Sequence, residues 1–158
     1  MDLNIQQTFA IIKPDAVASG YAPHILKTIT EHFTIVESKC ITLTSEACEY
    51  FYEEHKDKSF YPHLRSFMMS GPCVCLVLEA PNAIKKWREI IGPTNVKVAK
   101  LTTPNSMRAL YGDESDTSKN ACHGSDSVTS AEREIDFLLN GIGSQLTKVE
   151  LVKMPSVL

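Results

Sequence analysis

Apolar positions along this chain either alternate with polar ones or gather in short runs, and each run ends at a proline, a glycine or a polar cap. Thr8 to Ile12 is a β-prone apolar run closed by Lys13-Pro14-Asp15, which predicts a strand leading into a loop. After Pro23, the residues Ile25, Leu26, Ile29 and Phe33 share one helical face. Thr34 to Leu43 alternates as a half-buried strand does. Ser45, with Glu46 behind it, offers a hydroxyl cap and an early carboxylate to a helix reaching roughly Glu54. A second short helix begins near Tyr61-Pro62, presents Leu64, Phe67 and Met68, and stops at Ser70-Gly71-Pro72. Cys73 to Leu78 is continuously apolar, the pattern of a central strand covered on both faces. Asn82 is placed to cap a helix carrying Ile84, Trp87 and Ile91, ended by Gly92-Pro93.

From Thr94 to Lys119 the periodicity fails, and Pro104, Gly112 and the polar DESDTSKN stretch predict a long loop with at most one helical turn inside it. Unstructured connections of that length in a small domain are usually functional. A short strand over Ala121 to His123 follows, then a helix from Val128 to about Leu139 with Val128, Ala131, Ile135 and Leu138 on one face. The tail from Gly141 ends in an apolar stretch, Val149 to Val152, whose partner the pattern does not fix. Strands joined by helices on one face predict a small α+β sandwich on a split βαβ pattern, its sheet antiparallel or mixed. A length of 158 residues fits one domain, residues 1–158.

Composition narrows the ligand classes. With 43% hydrophobic and 22% charged residues and a formal charge of -3, nothing pulls the chain as a whole toward nucleic acid or an anionic membrane, so a polyanionic ligand needs local cations. The first apolar run is too short for a signal peptide and none approaches a membrane span, so a cytoplasmic or nucleocytoplasmic location without membrane contact is expected. The five cysteines are odd in number and mostly lie in apolar runs, as reduced core thiols do. Cys73 and Cys75, two ligands from one strand without a second Cys or His pair, make a poor zinc signal.

The chemistry concentrates in NACHGSDSVTSAEREI, Asn120 to Ile135. A histidine of ordinary pKa, about 6.5, keeps a free ring nitrogen near neutral pH, so His123 reads as a nucleophile and phosphate acceptor. Gly124, Ser125, Asp126 and Ser127 supply a turn, hydroxyl donors and a helix cap, and the helix start that follows favours anions. Glu134, eleven positions on, either fixes the tautomer of His123 or is a solvated glutamate; spacing alone leaves both open. Ser125 either bonds the phosphate or the imidazole, or merely steadies the turn. Lys13, Arg88, Thr94, Arg108 and Asn120 lie near element ends as candidate anion ligands, though each singly reads first as a surface residue and only their convergence would change that. Phe60, with Tyr52 nearby in sequence, either stacks a base or packs the core. No P-loop, dinucleotide-binding turn or GxSxG elbow is present, so phosphate must be gripped by side chains.

These segments together resemble the nucleoside diphosphate kinase family. TFAIIKPDAV is similar to its first strand and lysine loop, and SGP, REIIGPTN and NACHGSDSVTSAEREI are similar to its later motifs in the right order. The resemblance implies an α+β, ferredoxin-like sandwich with a four-stranded antiparallel sheet covered by helices. It implies exchange of terminal phosphates between nucleoside tri- and diphosphates through a phosphohistidine. It further implies His123 as the nucleophile through Nδ1, supported by Glu134 and Ser125, with Lys13 and Asn120 on the ribose hydroxyls and Tyr52 beside the transferred phosphate. Phe60 would stack on the base, and Arg88, Thr94 and Arg108 would bind the phosphates. Mg2+ would bridge nucleotide phosphates, with Asp126 at most an outer-shell contact and no direct protein ligand, and a homo-oligomer is implied. The chain departs from the common pattern by longer spacings from Thr94 to Arg108 and from Arg108 to Asn120, and by Arg108-Ala109 in place of Arg-Gly. Because of that loop, two further readings stand beside the kinase: a weakly catalytic domain that binds nucleotide or a partner, and a regulator that passes phosphate from His123 to a protein.

Overall fold

The computed structural model describes residues 4–140 and 147–149. Four strands form the body of an antiparallel sheet: β1 (Ile5–Ile12), β2 (Thr34–Leu43), β3 (Cys73–Pro81) and β4 (Cys122–Gly124). A fifth, β5 (Thr147–Val149), extends one edge, so the spatial order is β4-β1-β3-β2-β5. The sheet is thus one short strand wider than the four expected, because part of the tail pairs with Ile41, Thr42 and Leu43 of β2. Of the predicted apolar stretch Val149 to Val152, only Val149 falls within the described residues.

The alternation of β1 and β3 decides the layers. Ala10, Ile12, Val74, Leu76 and Leu78 face one way, against α2 (Ala22–His32) and α5 (Ala83–Ile91), whose Ile25, Ile29, Trp87 and Ile91 fill that core. Phe9, Ile11, Cys73, Cys75 and Val77 face the other way, against α3 (Ser45–Phe51), α4 (Tyr61–Met68) and α8 (Val128–Leu139). Helices therefore cover both faces rather than one. The continuous apolar run of β3 is the reason: between β1 and β2 it has no solvent side to leave polar.

Several boundaries move. Pro14 does not end the first unit in a loop; it starts the short α1 (Pro14–Ala18), where the missing amide of a proline in the first helical turn needs no partner. The cap of α3 is Thr44, whose hydroxyl accepts from the amide of Ala47, rather than Ser45. Asn82 precedes α5 in a left-handed conformation and gives no side-chain cap. The largest change is in the span from Thr94 to Lys119, which holds two helices, α6 (Val96–Thr102) and α7 (Met107–Tyr111). Both start at side-chain caps, Asn95 to the amide of Val98 and Ser106 to that of Ala109. Short helices fixed mainly by their caps carry too little periodic signal to be read from apolar spacing.

Candidate active site

β4 is an edge strand of three residues laid antiparallel on β1, with His123 opposite Ile11 and Gly124 opposite Ala10. Cross-strand partners share a face, so the imidazole lies on the side of Phe9, Phe51 and α8, while Cys122 and Gly124 face Trp87. Two features fix this strand. Lys13 donates its amide to the carbonyl of Ala121 at 2.8 Å, and Asp15 accepts the Ala121 amide at 3.2 Å on Oδ2. Ala121 itself has φ of 73°, a left-handed conformation that a residue with a Cβ adopts only when its surroundings compel it. Trp87 then donates its indole N–H to the carbonyl of His123 at 3.0 Å from a fully buried position.

The imidazole is held from three directions. Its Nε2 lies 2.8 Å from Oε1 of Glu134, and the same oxygen accepts the hydroxyl of Ser125 at 2.8 Å. Of the two readings of Glu134, the solvated glutamate is therefore set aside: its side chain is only 10% exposed, against 22% for His123. Ser125 is fully buried and also accepts the Phe9 amide at 3.2 Å, which ties β1 to the Glu134 carboxylate. A carboxylate at Nε2 favours the tautomer with the proton there, leaving Nδ1 the unprotonated nitrogen. Phe51 and Phe9 set their ring edges on the imidazole, at centroid distances of 5.2 and 6.2 Å.

The cations converge below the same strand. Arg108, buried on α7, donates from Nη1 to the carbonyl of Gly92 at 2.8 Å and from Nη2 to that of Cys122 at 2.9 Å, while its Nε has no partner. Burial, followed by the opposing pull of the Cys122 sulfur and then repulsion from Arg88, brings its pKa down to about 10, so it stays charged at neutral pH. Arg88 reaches the carbonyl of Gly124 at 3.3 Å. Lys13 is buried and donates to Oδ1 of Asn120 at 2.8 Å and to the carbonyl of Ser118 at 3.3 Å. Burial, then the charge of Arg108, pulls Lys13 down to about 8. Arg108 lowers Lys13 and is itself lowered by Arg88, so the three cations together form a site that an anion relieves.

Asn120 joins Lys13 to the turn after α5, donating from Nδ2 to the carbonyl of Thr94 at 3.0 Å. Thr94 presents only that carbonyl to the cluster, and its side chain is exposed. Tyr52 is buried with its hydroxyl unpaired, and burial drives its pKa well above the ordinary value, so it remains a phenol. Phe60 stands apart from the cations at the entry of α4, 51% exposed, with the His55 ring 5.7 Å away. Asp126 is bound by the Ser130 hydroxyl at 2.6 Å, which holds its carboxyl below the usual range. Among the described residues no group of three His, Cys, Asp or Glu side chains could hold a metal ion. Cys48, Cys73, Cys75 and Cys122 are free thiols, Cys73 and Cys75 with sulfurs 3.9 Å apart.

Phe51, Trp87 and Asp15 were not singled out by sequence reasoning for this site. Asp15 has a visible signal, since it follows the site lysine in Lys13-Pro14-Asp15; Phe51 and Trp87 read only as core.

Comparison with known proteins bears on the whole of this arrangement. A family model described as nucleoside diphosphate kinase matches residues 6–142. The chain is 46% identical over 135 residues to a probable nucleoside diphosphate kinase 5 of Arabidopsis thaliana, covering 85% of this chain and 92% of that one. It is similar to the crystal structure of the nucleoside diphosphate kinase of Aquifex aeolicus, with a TM-score of 0.82 at 44% identity, covering 87% of this chain and 97% of the other. The apo enzyme of Encephalitozoon cuniculi superposes with a TM-score of 0.78 at 29% identity over 96% of this chain and 95% of its own.

Proposed function

The chain belongs to the nucleoside diphosphate kinase family, a phosphotransferase that moves the terminal phosphate of a nucleoside triphosphate to a nucleoside diphosphate through a phosphohistidine, and we propose that this histidine is His123. The observation that carries the assignment is the Glu134 carboxylate at Nε2, shared with Ser125, which leaves Nδ1 with its lone pair. In the first half-reaction Nδ1 attacks the terminal phosphorus, the bond from that phosphorus to its bridging oxygen breaks, and the nucleoside diphosphate leaves. In the second, a terminal oxygen of another nucleoside diphosphate attacks the same phosphorus and the P–N bond breaks. Nε2 keeps its proton throughout, and the growing positive charge on the ring is met by Glu134.

Arg108 and Arg88 bind the phosphate chain and stabilise the charge spread over the equatorial oxygens, which is most of what phosphoryl transfer asks of a protein. Thr94, at the mouth of the cluster, adds a hydroxyl donor. Lys13 and Asn120 turn from each other to the ribose hydroxyls, Tyr52 lies beside the transferred phosphate, and exposed Phe60 stacks on the base. Mg2+ would be held by the nucleotide phosphates, where it would neutralise charge. Asp126 is engaged by Ser130, which leaves it at most an outer-shell role. Nucleoside tri- and diphosphates are thus the ligands, all within one domain.

Among the described residues no helix is long and apolar enough to cross a membrane. The free thiols of Cys48, Cys73, Cys75 and Cys122 suit a reducing compartment, which supports the cytoplasm. Leu101 and Leu110, 84% and 52% exposed on α6 and α7, support a homo-oligomer that covers them.

Incubation with terminally labelled ATP and Mg2+ tests the assignment. The expected product is an acid-labile, base-stable label that is lost in His123→Ala and discharged by added nucleoside diphosphate. Absence of label would refute the nucleophile. A label that nucleoside diphosphate does not discharge would instead favour transfer to a protein.

A further inference from the structure

Consecutive residues of an α-helix point about 100° apart, so α8 carries Glu134 to the imidazole and directs its neighbour Arg133 elsewhere. Arg133 goes to the end of α3. Its Nη1 donates to the carbonyl of Phe51 at 3.3 Å and its Nη2 to the carbonyl of Tyr50. The guanidinium lies over the Tyr50 ring at 4.8 Å, and Nη2 is 3.6 Å from Oε2 of Glu53. Tyr50 and Phe51 are the last residues of α3, whose carbonyls lack helical partners, so a planar fork with two parallel donors satisfies both at once.

What this fork fastens is the wall of the nucleophile. The Phe51 ring meets the imidazole of His123 edge-on, at 5.2 Å and 71°, and packs on Phe137 of α8 at 5.6 Å. Tyr52 follows, its ring 4.9 Å from that of Phe51. Glu134 anchors the imidazole at one nitrogen only, which leaves the ring free to swing about that bond, and Phe51 blocks the swing. We propose that Arg133 is a positioning residue for phosphoryl transfer: by binding the two terminal carbonyls of α3 to α8, it holds Phe51 against His123 and aims Nδ1. The proposal rests on His123 as the nucleophile. Arg133 touches neither base nor phosphate in that reading, so it acts on the chemical step and leaves nucleotide affinity alone.

The test is single-turnover phosphorylation of the full chain by terminally labelled ATP and Mg2+, with active sites counted from the maximal label. Arg133→Met is expected to lower the rate constant about tenfold or more, within the roughly hundredfold that a 1 Å misplacement brings, with the half-saturating ATP concentration changed less than twofold. Arg133→Lys, a single point donor, should recover part of the rate. Phe51→Leu should reproduce the loss, and it keeps the proposal open to refutation should Arg133→Met fail to fold. A rate per active site within twofold of the parent in Arg133→Met, whatever its melting temperature, overturns the proposal, as does a normal rate in Phe51→Leu. A parent that takes no label overturns the His123 assignment and this proposal together, an outcome distinct from a labelled parent that Arg133→Met matches.

Discussion

Replacing Glu134 by Gln isolates the charge at Nε2 while keeping shape and an acceptor. The Nε2 to Oε1 distance is 2.8 Å, and both side chains are largely buried. A full positive charge on the ring and the carboxylate charge, with centres about 4 Å apart, attract by about 4 kcal/mol at an effective dielectric of about 20. The ring is only partly charged at the transition state, and glutamine retains a dipole and one hydrogen bond. The differential loss is then about 2 to 3 kcal/mol, equivalent to a fall of about 30- to 160-fold in the rate of histidine phosphorylation. Because this interaction grows only as the ring becomes charged, the half-saturating nucleotide concentration should stay within about twofold. Quench-flow measurement of the labelled intermediate reads both quantities. A loss of less than threefold, or a loss seen in affinity instead of rate, would refute the role assigned to Glu134.

Four further outcomes follow from the same geometry. Lys13, lowered by burial and Arg108 to about 8, releases its proton in the folded chain before the unfolded one, so its contribution to stability rises with pH from about 8 toward 10.5. Urea unfolding at about pH 8 and about pH 9 should show the parent gaining about 1 kcal/mol relative to Lys13→Met, a difference in which the opposing loss from the buried thiols of Cys48, Cys75 and Cys122 cancels; equal pH dependence in the two proteins would sink it. Gly124→Ala places a Cβ 2.7 Å from Cδ1 of buried Trp87, so a loss of about 1 to 3 kcal/mol and a shifted tryptophan emission are expected, and an unchanged melting curve would contradict the close approach. Arg108→Ala removes a donor from the buried carbonyl of Cys122 and from the part-buried one of Gly92, and should lower both stability, by about 1 to 3 kcal/mol, and phosphorylation rate; a loss of stability alone would remove Arg108 from the chemistry. His63→Ala breaks a pair with Asp116 at 2.8 Å in which His63 is 64% exposed, so nucleotide half-saturation should move less than about threefold, which a substrate titration at two salt concentrations checks.

The strands and long helices were legible because their signal is long-range in sequence: β3 shows six apolar residues in a row, and α8 is recovered at both ends. The site residues stood out through motifs, and the structure joins His123, Ser125 and Glu134 in one hydrogen-bonded cluster and Lys13 and Asn120 in another. What sequence hid is mostly orientation. Trp87 and Phe51 look like core residues because they are core residues; that one donates to His123 and the other walls its ring depends on which strand lies across from them. The helices on the second face were read as helices, and the apolar run of β3 pointed to cover on both sides; which helix lies on which face was hidden, since that depends on where the connections cross the sheet. Phe60 is the converse case, an exposed aromatic whose position alone does not distinguish a base platform from bare surface.

The loop between Thr94 and Asn120 shows why added length need not displace a ligand. Its extra residues do not hang free: α6 and α7 each start at a side-chain cap, and Gly112 lets α7 turn out against Val96, where a Cβ would lie 2.6 Å from a valine methyl. Past α7 the chain closes on itself, the amide of Asp113 bonding to the carbonyl of Lys119 at 2.8 Å, with Asp113 and Asp116 accepting the amides of Ser115 and Ser118 in turns of their own. Loop length is thereby absorbed in local closures before the chain reaches Asn120. Arg108 is anchored independently of all this, because its two donors are fixed by the backbone of Gly92 and of Cys122, one residue from His123. A mismatch in loop length would have to break one buried and one part-buried hydrogen bond to move the guanidinium, each worth about 1.5 to 3 kcal/mol for a charged donor, whereas re-forming the exposed turn at Asp113 to Ser115 disturbs only solvent-facing groups. Deleting residues within that turn should therefore leave the phosphorylation rate of His123 within a few fold, while Gly92→Ala, whose Cβ would meet Ser106 at 2.5 Å in a left-handed backbone, should lower it together with stability.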